Sequence, residues 1–331
     1  VADVRERGES VAWAAYFLGM LVLLTAPRWG SAYLVGFCVE LLSYMALVTA
    51  WTVFSGPTRY FSLATAAFFG IGTYVTVYLG GRIPVLACVA VAAALAYLVA
   101  SVVGVATLRL SGLYFVMFTF GLSEFLRQFV LWFEGRLFRK VGRIVSVPFS
   151  DLDLYYALWG ITAVLLLSAF LLRRSRLGYA LRAIGEDELA AAHAGVNVSR
   201  VKIGVFAATA SAMAVVGAIL APRWAYVLPD MAFDPTRSFQ VVLMAMLGGI
   251  RHSYGPLLGT IPLLLLYEWL YARYPYPFMF VLGLLLAVLV LYAPGGVSGM
   301  MEGILQRAEE RRQEAMRIRA EELGHVESGE G

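Results

Sequence analysis

RRSRLGYALRAIGEDELAAAHAGVNVSRVK, residues 173–202, is a polar island set between two long apolar runs. It holds Arg173, Arg174, Arg176, Arg182, Arg200 and Lys202 together with Glu186, Asp187 and Glu188. The spacing predicts a short helix, with acids in its first turn and His193 in its last, where the helix dipole favours each sign. Gly195 follows as a left-handed cap, and Asn197 or Ser199 caps the next helix. A tightly capped, exposed helix between membrane spans predicts a surface that docks onto something in the cytoplasm; an ordinary charged loop is the alternative.

The apolar runs on either side dominate the chain. Of 331 residues 60% are hydrophobic and 15% charged, with a mean hydropathy of +0.76. Soluble domains carry about 25% charge, so the composition is that of a membrane protein. The net charge of +4 is scattered among loops, which excludes a nucleic-acid footprint. Cys38 and Cys88 lie in apolar runs with no metal or redox spacing and read as small apolar side chains. The only lysines are Lys140, preceded by Arg139, and Lys202, preceded by Val201. Neither sits in the Gly-Lys-Ser/Thr of a phosphate-binding loop, so any ATP that drives this protein is bound by another subunit.

Outward from the island, residues 154–172 form the preceding span and residues 203–221 the following one. Residues 11–26, 31–54, 62–79, 83–108 and 110–127 are apolar runs towards the amino terminus; 238–250, 253–271 and 276–293 lie towards the carboxy terminus. A span takes about 20 helical residues, which gives about eight to ten spans, ten favoured, in an all-α polytopic fold. Residues 238–250 are short and end in Gly248 and Gly249, as a half-span or broken helix does. No cleaved signal is expected, because Leu24 and Ala26 do not make a small-x-small site. Placing the amino terminus inside puts Arg5, Arg7, Arg59, Arg109, Arg251, the island and the tail on the cytoplasmic side, as the positive-inside rule asks. One segment conflicts: residues 134–148 fall outside yet hold Arg136, Arg139, Lys140 and Arg143. The organisation expected is a cytoplasmic lead (1–10), a transmembrane domain (11–299) and a charged cytoplasmic tail (300–331) whose alternating charges make a solvated helix.

Several residues are candidates for function, each with a plainer reading beside it. Glu124 and Arg127 stand at i, i+3 in an apolar run, so they share a helix face and pair, either along a translocation path or locally at the end of a span. Gly70, Gly72, Gly248 and Gly249 either break helices to free backbone for a substrate or let helices pack closely. Ser62, Thr65 and Thr73 offer hydroxyls to a path or to their own helix carbonyls. The external basic patch Arg136, Arg139, Lys140 and Arg143 suits an acidic binding partner, an anionic solute or lipid headgroups. His193 and His252 lack companions at ligand spacing, so no metal site is expected; Asp230 and Asp234, beside Pro229 and Pro235, mark an external turn.

Five blocks in order carry a family likeness: SLATAAFFGIGTY (62–74), LRLSGLYFVMFTFGLSEFLR (108–127), GYALRAIGEDELAAAHAGVNVSRVK (178–202), LGGIRHSYGPLLGT (247–260) and YAPGGVSG (292–299). Through them the chain resembles the permeases of bacterial branched-chain amino acid ABC importers, in particular the second membrane subunit of the high-affinity system. The resemblance implies an inner-membrane, multi-pass subunit with both termini cytoplasmic. Its partners are a homologous second permease, two cytoplasmic ATPases and an external solute-binding protein. ATP and Mg sit on the ATPases, with no cofactor and no enzymatic activity in this chain and no nucleic acid among its partners. The 173–202 loop then holds the ATPase-coupling helix, with Arg182, Glu186, Asp187, Glu188, Ala191 and Gly195. Glu188, Ala191 and Gly195 are similar to the family's Glu-Ala-Ala…Gly pattern at a spacing one residue longer. Two departures stand out: Ala64–Thr65 replace a frequent Gly-His, and the basic 136–148 segment replaces an external Thr/Gly/Asp-rich block.

Two other classes compete. An ion-coupled secondary transporter working alone needs intramembrane ionisable groups, and Glu40, Glu124, Arg127 and Glu268 are the candidates. A membrane-embedded enzyme needs a catalytic constellation, and neither HExxH nor GxSxG occurs.

Overall fold

The computed structural model describes residues 19–28, 30–107, 112–145, 150–250 and 255–274, with scattered positions from 280 to 296. The lead 1–10, the tail 300–331, Arg251, His252 and most of the 276–299 region lie outside the described residues. The elements run α1 (Gly19–Arg28), α2 (Ala32–Thr58), α3 (Thr65–Leu79), α4 (Val85–Thr107), α5 (Leu113–Leu137), β1 (Arg143–Ile144), α6 (Asp151–Arg174), α7 (Arg176–Glu186), α8 (Glu188–His193), α9 (Val198–Leu220), β2 (Tyr226–Val227), α10 (Pro229–Ala232), α11 (Pro235–Gly248) and α12 (Gly255–Arg273). Four of them are long and apolar enough to cross a membrane: α2, α4, α6 and α9, the last extended by a 3-10 turn to Arg223. The protein is a helical, multi-pass membrane protein.

Local chemistry sets the ends. Ser150 accepts from Leu152 N while Asp153 accepts from Ser150 N, so α6 starts three residues before the apolar run does. Asn197, rather than Ser199, caps α9 by accepting from Arg200 N. Ser31 caps α2, and Arg59, in the left-handed region at φ 60°, ends it just after Pro57.

α2 and α9 form the buried centre, while α4 and α6 bury one side each. α4 turns Cys88, Ala92, Ala96, Ala100 and Gly104 inward, a stripe of small residues four apart, and packs on α9. Without a hydrophobic drive between helices in lipid, such stripes let backbones approach until dispersion and polar contacts hold them. Across this seam Ser211 Oγ donates to Ala93 O at 2.9 Å. The α3–α9 seam is closer still. A Cβ on Gly72 would lie 1.8 Å from Ala214 O, and one on Gly217 would lie 2.1 Å from Phe69 O. Thr73 and Thr76 hydroxyls donate across it to Gly217 O and Ala218 O at 3.2 and 3.1 Å.

Three features depart from the sequence reading. Residues 62–64 are not helical: α3 begins at Thr65 and then runs unbroken through Gly70 and Gly72, the close-packing alternative of the two readings for these glycines. α5 continues past Glu124 and Arg127 to Leu137 because those charges satisfy each other. A two-residue antiparallel ladder pairs Arg143 with Val227 and Ile144 with Tyr226, a small exception to an all-helical fold.

Candidate functional site

The polar island folds into α7 and α8. Ser175 caps α7 by accepting from Gly178 N at 3.3 Å. α7 buries Gly178, Leu181 and Ile184, three residues apart on one face. Asp187 ends α7 and caps α8, accepting from Leu189 N at 2.8 Å and Ala190 N at 3.1 Å. At the other end Val196 N donates to Ala191 O and Gly195 N to Ala192 O, with Gly195 at φ 86°. That pair of bonds is a Schellman closure, which needs a left-handed residue where glycine is strain-free. α8 is therefore locked at both ends.

Its docking onto the bundle uses residues that sequence reasoning missed. Glu188 accepts from the Tyr60 hydroxyl at 2.6 Å and from Lys202 Nζ at 2.8 Å. Lys202 also donates to the Tyr60 oxygen at 3.1 Å and lies 4.5 Å from its ring centroid. The Lys202 side chain is only 4% exposed, so its charge depends on this partner. Burial, and then Glu188, push the Tyr60 hydroxyl well above the usual phenol range. Beside this cluster Arg59 pairs with Glu186 at 2.5 Å, and a Cβ on Gly185 would lie 2.0 Å from Pro57 O. The end of α7 thus sits directly on the end of α2. Arg182 donates to Arg173 O at 2.5 Å and lies over Tyr179. Ala191 is buried, whereas Leu189 is 74% exposed. The acids predicted for coupling are bonded within the chain, and the outward face belongs to Leu189, Ala190, Ala192 and His193. Lys202 had one signal in the sequence, lysine's rarity; Tyr60 had none.

From Tyr60 the chain turns back among the helices. Its irregular backbone is satisfied by side chains, as apolar surroundings require. Trp51 Nε1 donates to Ser62 O at 2.7 Å, Leu63 N to Thr119 Oγ1 at 3.0 Å, Ser123 Oγ to Leu63 O at 3.3 Å and Ala66 N to Ser238 Oγ at 2.9 Å. Of the residues predicted for a substrate path, Ser62 accepts from Ala64 N through its own hydroxyl. Thr65 is buried, and its Oγ1 has no partner among the described residues. Gly70 faces the Phe233 ring and Gly72 faces α9, so both serve close packing here. Gly248 meets Gly255 O, and Gly249, at φ 98°, caps α11.

At the end of the bundle opposite α8, Glu124 and Arg127 pair at 2.5 Å, and Arg127 also reaches Asp230 of α10 at 2.5 Å. The predicted basic patch contracts to Arg136, Arg139 and Lys140, which are exposed. Arg143 leaves it, lying 3.4 Å from Glu134 and over the rings of Tyr78 and Phe138. Among the described residues no group of three or more His, Cys, Asp or Glu is placed to hold a metal. An apolar cleft of about 500 Å³, lined by Ala50, Val53, Leu165, Leu172, Val205 and Ala208, opens between α2, α6 and α9 with Arg200 at its lining. None of the predicted path residues lines it.

Residues 33–291 match a family described as "Branched-chain amino acid transport system / permease component". The high-affinity branched-chain amino acid transport system permease protein LivM of Escherichia coli K12 is 24% identical over 327 residues, covering 88% of this chain and 76% of its own. LivM of Salmonella typhimurium has the same identity and coverage. The corresponding LivH of E. coli K12 is 31% identical over 151 residues, 42% of this chain and 48% of its own. No solved structure matches the chain.

Proposed function

Because the chain belongs to the branched-chain amino acid transport system permease family, we propose that it is a membrane subunit of an ATP-driven importer and forms half of the path for branched-chain amino acids or related small solutes. Its counterpart is a homologous second permease, a pairing supported by similarity to both LivM and LivH. Two cytoplasmic ATPases carry ATP and Mg, and an external solute-binding protein delivers the solute. The chain is a non-catalytic subunit of ten spans in the bacterial inner membrane, both termini cytoplasmic, with a permease domain over 11–299 and a charged tail over 300–331.

Residues 173–202 are the coupling loop and α8 is the coupling helix. One observation carries this reading: α8, closed by Asp187 and Gly195, is tied through Glu188 to Tyr60, at the head of the segment that leads into α3. A rigid helix displaced by nucleotide-driven closure of the ATPases moves what it is bonded to, whereas a flexible loop absorbs the displacement. Leu189 and His193 meet the ATPase, while Glu186 and Glu188 hold the helix to its own bundle. The ion-coupled alternative is less well supported. Glu40 is engaged by Arg223, Glu124 by Arg127, and Glu268 by the Tyr33 hydroxyl.

Reconstitution in proteoliposomes with the second permease, both ATPases and the binding protein tests the assignment. ATP-dependent uptake of radiolabelled leucine is expected. Uptake driven by an ion gradient without the ATPases would overturn it.

A further inference from the structure

We propose that Arg237, on the first turn of α11, receives the carboxylate of the transported amino acid; this deepens, and rests on, the importer reading above. α11 is a half-length helix of 14 residues opened by Asp234 and Pro235. In its first turn Ser238 is buried and Pro235, Thr236 and Arg237 are partly buried, with Phe233 before the helix and Gln240 further along it both buried. The Arg237 guanidinium lies 4.1 Å from the Phe69 ring centroid and 5.7 Å from that of Trp224. Aromatic faces attract a cation but accept no N–H bond of ordinary strength. Nε and Nη1 of Arg237 are buried and have no hydrogen-bond partner among the described residues.

That arrangement is unlike the other buried ions described. Lys202 has Glu188 and Tyr60; Glu134 has the Tyr78 hydroxyl, Gly142 N and Arg143. A charged donor left without an acceptor is among the costliest groups to bury, and in a membrane span it marks function. Three properties fit a carboxylate. The guanidinium fork matches two carboxylate oxygens. The amino-terminal end of a half-helix adds positive potential at the same place. The partly exposed Trp224 ring gives an apolar amino acid a surface for its side chain. Arg237 as a whole residue is only partly buried. One turn further along α11, Gln240 accepts from the Tyr44 hydroxyl, which holds the helix against α2.

The test uses the purified permease pair in detergent and the complete importer in proteoliposomes, with Arg237→Met and Arg237→Lys. In the pair, L-leucine should raise the melting temperature of the wild type and leave Arg237→Met unmoved, and leucinamide, which lacks the carboxylate, should raise neither. In the importer, Arg237→Met should lower maximal leucine uptake about 10- to 100-fold, the size of one charge-assisted bond pair, and Arg237→Lys should fall less. Docking of the loaded binding protein should not change. Arg237→Met without leucine should melt at or above the wild-type temperature, because it removes an unpaired buried charge. An Arg237→Met pair that melts lower and loses its second permease would show that Arg237 answers a carboxylate of that subunit, overturning the proposal. Equal uptake by wild type and Arg237→Met would also overturn it. A wild-type importer that moves no leucine under ATP would instead remove the function assigned above.

Discussion

The Tyr60 hydroxyl donates to Glu188 at 2.6 Å, joining two residues 128 positions apart. The bond links the locked helix α8 to the point where the chain leaves α2 and turns back towards α3. Lys202 completes a three-membered contact in which each group satisfies the other two. Movement of α8 therefore has a stiff route into the bundle, through residues 59–64 to the first turn of α3, where Ala66 N is bonded to Ser238 of α11.

Glu188→Lys should break this contact by setting a second ammonium against Lys202. Glu188 is 40% exposed, so the cost is that of a lost charged hydrogen bond plus an unpaired neighbour, about 1–3 kcal/mol. The importer should assemble, yet loaded binding protein should no longer stimulate its ATPase. Tyr60→Phe removes one donor, costs about 1 kcal/mol and should weaken stimulation partially. Full stimulation in both variants would show that α8 is not coupled through Tyr60.

Gly195 separates backbone strain from crowding. A Cβ there meets nothing within 4 Å, yet φ is 86°. Gly195→Val should cost about 1–3 kcal/mol, because a β-branched residue is strained in the left-handed region. Gly195→Asn should cost much less, since asparagine tolerates that conformation. Transport per assembled complex should fall for valine and hold for asparagine; equal behaviour of the two would exclude a rigid α8 as the requirement.

What was legible in the sequence was local. The acids 186–188 and Gly195 after His193 announce a capped helix within ten residues, because caps are made by neighbours in the chain. The acids expected in its first turn nevertheless divide, Glu186 ending α7 and Asp187 capping α8. Glu124 and Arg127 announce each other for the same reason, but their third partner, Asp230, lies 103 positions away. Tyr60 carries no such signal; its role comes from a fold that brings α2, α8 and α9 to one corner. Hydropathy read residues 62–64 as helix since they are apolar enough. The chain leaves the helix there because Arg59 ends α2 and Trp51, Thr119 and Ser123 supply the missing hydrogen bonds. Glycines are ambiguous in sequence for a related reason. Whether Gly72 breaks a helix or admits a neighbour is decided by Ala214, which the spacing cannot show.

Gly72→Ala should therefore be severe and Gly121→Ala mild, although both replace a helical glycine. The methyl on residue 72 would press on Ala214 O at 1.8 Å, whereas nothing lies within 4 Å of a Cβ on residue 121. Forcing α3 from α9 should cost about 1–3 kcal/mol or more. Alanine at 121 should be neutral or gain up to about 1 kcal/mol of helix propensity. Thermal unfolding in detergent separates them, and a stable Gly72→Ala protein would contradict the α3–α9 seam.

Glu134 and Arg143 should behave as one unit. Glu134 is fully buried, accepts from Tyr78 and Gly142, and forms an ion pair with Arg143. Arg143 also lies over the Tyr78 and Phe138 rings and opens the short ladder that ties residues 143–145 to 225–227. Glu134→Ala strands the Arg143 cation, and because Arg143 is 29% exposed the loss should sit at the lower end of the about 3–5 kcal/mol seen for broken buried pairs. Arg143→Ala should cost less, since Glu134 keeps two donors. The double variant should be more stable than the sum of the singles implies, by about 0.5–3 kcal/mol, because each single leaves a charge that the other removes. Strict additivity in thermal unfolding would mean that the two side chains do not sense each other. The ladder and its turn would then be held by backbone bonds and the aromatic stack alone.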